Sequence, residues 1–404
     1  MKKYEMEGNN ILTNLPIDVF ELIMKLLPLK DCLALKAICR SCRKTVSNII
    51  ENKHCCHLPE FPLVFVQSNN SRFFYGLSTK SVHHLRTQLL GRNNKCVGTV
   101  EGWLIVSDYS EKGFAKIFFL NPVTDVRITI PSKLYLPSVI GDRISFVRKM
   151  VASSKPNCND SDCYIVALLS DFCHIAIYKL FEKSWTMVEP YKDSGTCFMD
   201  IEIIGTKLYV TDPSSDSILV YDLKDCTNGP AKAEVLAEFP RTRRPPGSSI
   251  YSNFLAKHQN LRELYFISMC YNGEIETQQR VSDRFNVVSA YDKPPKLTSF
   301  EVFKLDTNKS PIGWQNVKLE DRVAFVSNWK SMVMSRDELD YSDELVRGNS
   351  IYFAVTFGCP RYNPPISLEF GMFWLNDSSI KYFPEETLKH GDAFNPVWFV
   401  PSLW

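Results

Sequence analysis

Two hydrophobic periods divide the chain. Between Leu15 and Ile50 apolar residues recur at helical spacing, and from Leu63 onward they fall in short β-prone runs. In the first region Val19, Ile23, Leu26 and Leu27 share one helical face. Pro16 suits the first helical position, where its missing N–H is no loss. Asp18 and Glu21 follow in the first two turns, beside the positive end of the helix dipole. Phe20, Leu22 and Met24 widen the apolar surface, so this helix needs more than one neighbour. Pro28 ends it. A second helix is expected from Lys30 or Asp31, carrying Leu33, Leu35, Ala37 and Ile38, and a third from Ser41 as cap, carrying Val46, Ile49 and Ile50. Three helices this short, over residues 11–52, bury too little to stand alone. The pattern therefore predicts a partner, either the rest of the chain or another protein.

Residues 53–62 form a short junction stiffened by Pro59 and Pro62. Beyond it the strands expected are 63–66, 73–77, 102–106, 117–120, 164–169, 175–180, 185–188, 208–211, 218–223, 264–269, 300–305, 323–326, 351–355, 370–375 and 397–400. A loose repeat runs through them. Ile175-Ala176-Ile177-Tyr178-Lys179-Leu180 precedes Trp185, and Phe300-Glu301-Val302-Phe303-Lys304-Leu305 precedes Trp314. Ile218–Leu223 and Gly371–Leu375 fit its middle strand. Units of this kind predict radial blades, so 63–404 is expected to be an all-β domain, a β-propeller rather than the rival sandwich. Leu63–Val66 and Val397–Val400, bounded by Pro62, Pro396 and Pro401, are expected to share one sheet and close the ring.

Leu15-Pro16, Leu27-Pro28-Leu29-Lys30-Asp31 and Cys39-Arg40-Ser41-x-Arg43 resemble an F-box. Asp321-Arg322-Val323-Ala324-Phe325-Val326, Asn349-Ser350-Ile351-Tyr352-Phe353 and Pro396-Val397-Trp398-Phe399-Val400-Pro401 resemble a kelch-like propeller domain common behind plant F-boxes. Gly102-Trp103-Leu104 and Phe119–Thr124 are similar to its first blades. The resemblance implies a substrate-recognition subunit of a Skp–cullin–F-box ubiquitin ligase. Leu15, Pro16, Val19, Ile23, Leu26, Leu33 and Ile38 would then dock a Skp-type adaptor, and through it a cullin, while the propeller holds a protein target. Cys42 stands where that family usually has tryptophan, removing a large apolar anchor.

Composition adds boundaries. The 404 residues carry a net charge of +2, which predicts no general attraction to nucleic acid or membrane. No apolar run approaches the roughly 18 to 20 residues of a bilayer span, and residues 1–7 lack an apolar signal core. Thirteen cysteines are therefore expected to stay reduced, in the cytoplasm or the nucleus. Cys39, Cys42, His54, Cys55, Cys56 and His57 could supply four zinc ligands, but their spacing matches no common zinc module, and no metal or cofactor is expected. Nucleotide, zinc-protease and serine-hydrolase motifs do not occur. Arg241, Arg243 and Arg244 form a basic, turn-rich loop able to grip an acidic or phosphorylated target. Propellers can host hydrolases with channel-lining carboxylates, and Asp200, Glu202 and Asp212 could stand there, although nothing in their spacing requires it. The alternative to the adaptor reading is thus a propeller hydrolase, or a stand-alone binding module whose helices pack only on their own domain.

Overall fold

The computed structural model describes residues 15–27, 35, 38–51, 61–67, 71–85, 90–139, 143–156, 163–170, 174–188, 197–225, 232–240, 250–258, 260–272, 296–339, 347–357, 367–383 and 394–402. Two helices are described in place of the three expected, α1 (Ile17–Leu26) and α2 (Arg40–Glu51). The expected middle helix falls largely on residues outside the described set, with Leu35 and Ile38 at helical positions. Pro16 stands one position earlier than expected, as the N-cap of α1 with φ −55° and ψ 145°. Its carbonyl accepts the N–H groups of Val19 and Phe20, each at 3.1 Å; the Phe20 bond is the first regular turn of the helix, and the Val19 bond serves an otherwise orphaned donor. Ser41 lies inside the first turn of α2 and is not its cap.

The helices bury Phe20 and Met24 against Cys42, Val46 and Ile49, with Leu15, Leu27, Leu35 and Cys39 packed around them. Spacings of three and four residues put each set on one helical face. Cys42 is completely buried here, so its side chain belongs to the helical core and not to an exposed docking face. Cys42→Trp should therefore overpack that core and cost about 1–3 kcal/mol. Circular dichroism melting of the helical unit checks this, and any loss of adaptor binding should track the melting loss.

The β-region is a ring of blades. Blade 1 pairs Phe394–Phe399, Leu63–Gln67, Arg72–Gly76 and Ser81–His84 in that order. Its two ends meet in antiparallel register, Leu63 opposite Phe399, Val64 opposite Trp398 and Phe65 opposite Val397, which is the closure the flanking prolines suggested. Blade 2 comprises Asn94–Val100, Trp103–Asp108, Phe114–Asn121 and Val126–Thr129. Blade 3 comprises Val147–Ala152, Tyr164–Leu169, Ile175–Lys179 and Thr186–Val188, and blade 4 Asp200–Ile204, Lys207–Asp212, Ser217–Asp222 and Glu234–Glu238. A nine-stranded sheet supplies the last two. Blade 5 is Ile250–His258, Glu263–Asn272, Lys296–Asp306 and Gly313–Asn316. Blade 6 is Met332–Ser335, Arg322–Ser327, Ser350–Phe357, Ser367–Trp374 and Ser379–Tyr382. They join where Lys257 and His258 pair in parallel with Met332 and Val333.

The apolar packing supports this reading independently. Each of six buried clusters lies between two consecutive blades. Val97 and Ile105 meet Met150 and Ile165; Val166 and Ile177 meet Ile201 and Leu208; Ile218 meets Phe266. Ile267 and Val302 meet Ile351 and Phe373; Phe325 and Tyr352 meet Phe73 and Trp398; Phe65 and Phe399 meet Leu104 and Phe118. The last two clusters bring blade 6 back to blade 1 and on to blade 2. Core shared face to face all round a ring is what a propeller requires and a two-layer sandwich lacks.

Candidate functional site

The innermost strands face one another around the axis, and their contacts run round the ring. Thr99 Oγ1 donates to the Trp398 carbonyl at 2.9 Å. Gly98 lies so close to the Met150 carbonyl that no β-carbon would fit between blades 2 and 3. Lys149 Nζ meets Asp200 Oδ1 at 2.6 Å, and Leu255 N donates to Asp200 Oδ2 at 2.8 Å. Lys257 Nζ donates to the Ile203 carbonyl at 3.1 Å. Trp398 Nε1 donates to the Val326 carbonyl at 2.9 Å.

Alternation along Asp200–Ile204 places this chemistry. Ile201 and Ile203 point into the core between blades 3 and 4, which leaves Asp200 and Glu202 on the opposite face of the strand. Glu202 is fully buried between two lysines, at 3.3 Å from Lys257 Nζ and 3.5 Å from Lys330 Nζ, and it accepts the Ile203 N–H at 3.0 Å. Burial alone would raise its pKa, but Lys330, Lys257 and Lys149 outweigh that and bring it down to about 2. Burial pushes the Lys330 ammonium down to about 8, against the opposing pull of Glu202.

A carboxyl held ionised in this way has no proton to give near neutral pH, which is what a general acid must do. Asp200 and Glu202 are thus brought together, as the hydrolase alternative asks, but as the anionic half of an ion-pair cluster. Asp212 is elsewhere. It closes a turn, accepting from Ser214 N at 3.0 Å, Ser215 Oγ at 2.8 Å and Cys197 N at 3.2 Å. The three lysines were not singled out from the sequence. Their only signal is a charged residue on the inward face of a short strand or hairpin.

At the helical end, α1 keeps a second apolar face formed by Val19 and Leu22, 39% and 59% exposed, beside half-buried Ile23. Ile17, 51% exposed, stands in the first turn on the other side of the helix, and Ile38 is 46% exposed. Pro16 is exposed, whereas Leu15 packs against the helical core. Leu26 lies in α1. Leu33 lies outside the described residues, as do Arg241, Arg243 and Arg244, and His54 to His57 of the zinc alternative. No helix among the described residues is long and apolar enough to cross a membrane.

Two matched regions define the class of protein: an F-box at residues 12–54, followed by a β-propeller at residues 74–382. The second match covers well over half of the chain, and the protein belongs to the KIB1-4 beta-propeller family. An F-box ahead of a propeller fits a non-catalytic adaptor. F-box domains generally bind Skp-type adaptors. No curated protein matches the chain. Among solved structures it is similar to the β-propeller domain of Myceliophteria thermophila Cps50 (Swd1), at 11% identity and TM-score 0.35, over 80% of this chain and 94% of that one. It is also similar to a luciferin-regenerating enzyme, at 12% identity and TM-score 0.34, over 86% and 92% of the two chains.

Proposed function

We propose that the protein is the substrate-recognition subunit of a Skp–cullin–F-box ubiquitin ligase, working in the cytoplasm or the nucleus. Its F-box docks a Skp-type adaptor, and its propeller presents a target protein for ubiquitination. The observation that carries this reading is the apolar face on α1. Phe20 and Met24 satisfy the helical core, so Val19 and Leu22 remain exposed on the other side of the same short helix. Catalysis in such a complex is proximity supplied between other proteins, and the chain itself needs no reactive group.

The test is co-purification of the full chain with a Skp-type adaptor. Val19→Asp combined with Ile23→Asp should weaken the complex about a hundredfold or more, because two unpaired carboxylates would be buried at the interface. Neither residue is part of the buried helical core, so the melting temperature should stay near that of the wild type. Retention of wild-type adaptor yield by the double variant refutes the docking assignment.

A further inference from the structure

One end of the channel opens into a cavity of about 170 Å³, room for roughly five waters at about 30 Å³ each. All six blades reach it, through Val400, Gly102, Ser153, Gly205, Lys257 and Lys330. Three cations line the cavity: Lys257, Lys330 and Arg262. Lys330 is buried, with its side chain only 10% exposed, and the polar partner of its ammonium among the described residues is Glu202 at 3.5 Å. Three N–H groups thus share one long contact. Glu202 is also divided between Lys330 and Lys257, so one carboxylate answers two ammonium groups. A buried charge left in this condition calls for a counter-ion.

Arg262 stands at the rim. It is exposed, with φ 54°, on the turn after the inner strand of blade 5. His258 also lines the cavity, but its ring nitrogens are engaged by Leu261 N at 3.3 Å and Ser335 Oγ at 2.9 Å. Glu101 is the carboxylate lining the cavity among the described residues, and it too is exposed.

We propose that the channel mouth is a binding site for a phosphate-type oxyanion, held by Lys330 on the inner wall, Lys257 beside it and Arg262 at the rim. Two point charges and a planar fork suit a compact anion with several acceptor oxygens. The cavity has room for such a group together with a few waters. The site stands whether or not the helical end docks an adaptor. The phosphate could belong to a small molecule or to a protein side chain, and both present the same chemistry.

Isothermal calorimetry on the full chain at fixed ionic strength tests it, with inorganic phosphate as probe and chloride as the matched salt. Calorimetry separates binding from the general stabilisation that phosphate gives any folded protein. The wild type should show saturable binding. Arg262→Gln keeps a β-carbon at the same φ and should weaken binding about tenfold, the loss of one charged hydrogen bond. Glu101→Gln removes the opposing charge and should tighten binding. No saturable heat in the wild type, or equal affinity in the wild type and Arg262→Gln, overturns the proposal. A phosphoserine peptide binding more tightly than inorganic phosphate, with its unphosphorylated form silent, places the group on a protein. Equal or tighter binding of inorganic phosphate or free phosphoserine places it on a small molecule.

Discussion

Ending the chain after Pro396 should abolish soluble expression of the propeller, an effect far beyond the eight residues removed. Those residues include Val397, Trp398 and Phe399, all fully or almost fully buried. They supply half of the inner strand of blade 1, the part paired with Leu63, Val64 and Phe65. Without them blade 1 exposes the edge of Leu63–Gln67 to the channel, and an uncovered edge strand invites aggregation. Trp398 ties three blades together. Its ring packs on Phe325 at 5.1 Å between centroids, its Nε1 reaches the Val326 carbonyl, and its own carbonyl accepts from Thr99. Trp398→Ala should therefore cost about 3–5 kcal/mol, read from the shift of the denaturant midpoint. A truncated chain with unchanged expression and melting temperature would refute the closure argument.

Glu202→Gln is expected to destabilise the propeller by about 3–5 kcal/mol at neutral pH, because it keeps the shape and leaves Lys257 and Lys330 without their counter-charge. The wild-type carboxyl is pulled from 4.5 to about 2, which by linkage is worth about 3 kcal/mol. The folded value lies below the unfolded one, so this stability is fully present above about pH 4.5 and is lost as pH falls toward about 2. The gap between wild type and variant should be widest near neutrality and close across that acid window. Denaturant midpoints of both proteins at several pH values measure it. A gap that stays constant from pH 7 to pH 3 would show that the charge of Glu202 is not the cause.

Much of the propeller was legible in the chain because its middle strands are buried on both faces. Tyr164–Leu169, Ile175–Lys179, Ser217–Asp222 and Ser350–Phe357 are dense in β-branched and aromatic residues, and composition alone marks them as strands. Closure was legible too, from prolines bounding two β-prone segments at opposite ends of the domain. The F-box likewise rests on a local pattern of prolines, leucines and basic residues.

The inner strands were not legible. Asn94–Val100, Val147–Ala152, Asp200–Ile204, Ile250–His258 and Met332–Ser335 went unrecognised as strands. Four of them carry charged side chains or histidine, among them Lys95, Lys149, Asp200, Glu202, Lys257 and His258. In a sequence such residues read as loop or surface. Only the ring makes them interior, by bringing strands more than fifty residues apart to one axis, where Lys149 meets Asp200 and Glu202 meets both Lys257 and Lys330. The chain by itself determined the strands buried on both faces and where the ring joins. The tertiary structure decided which charges meet, because an ion pair between Lys330 and Glu202 depends on a distance across the channel that no local period encodes.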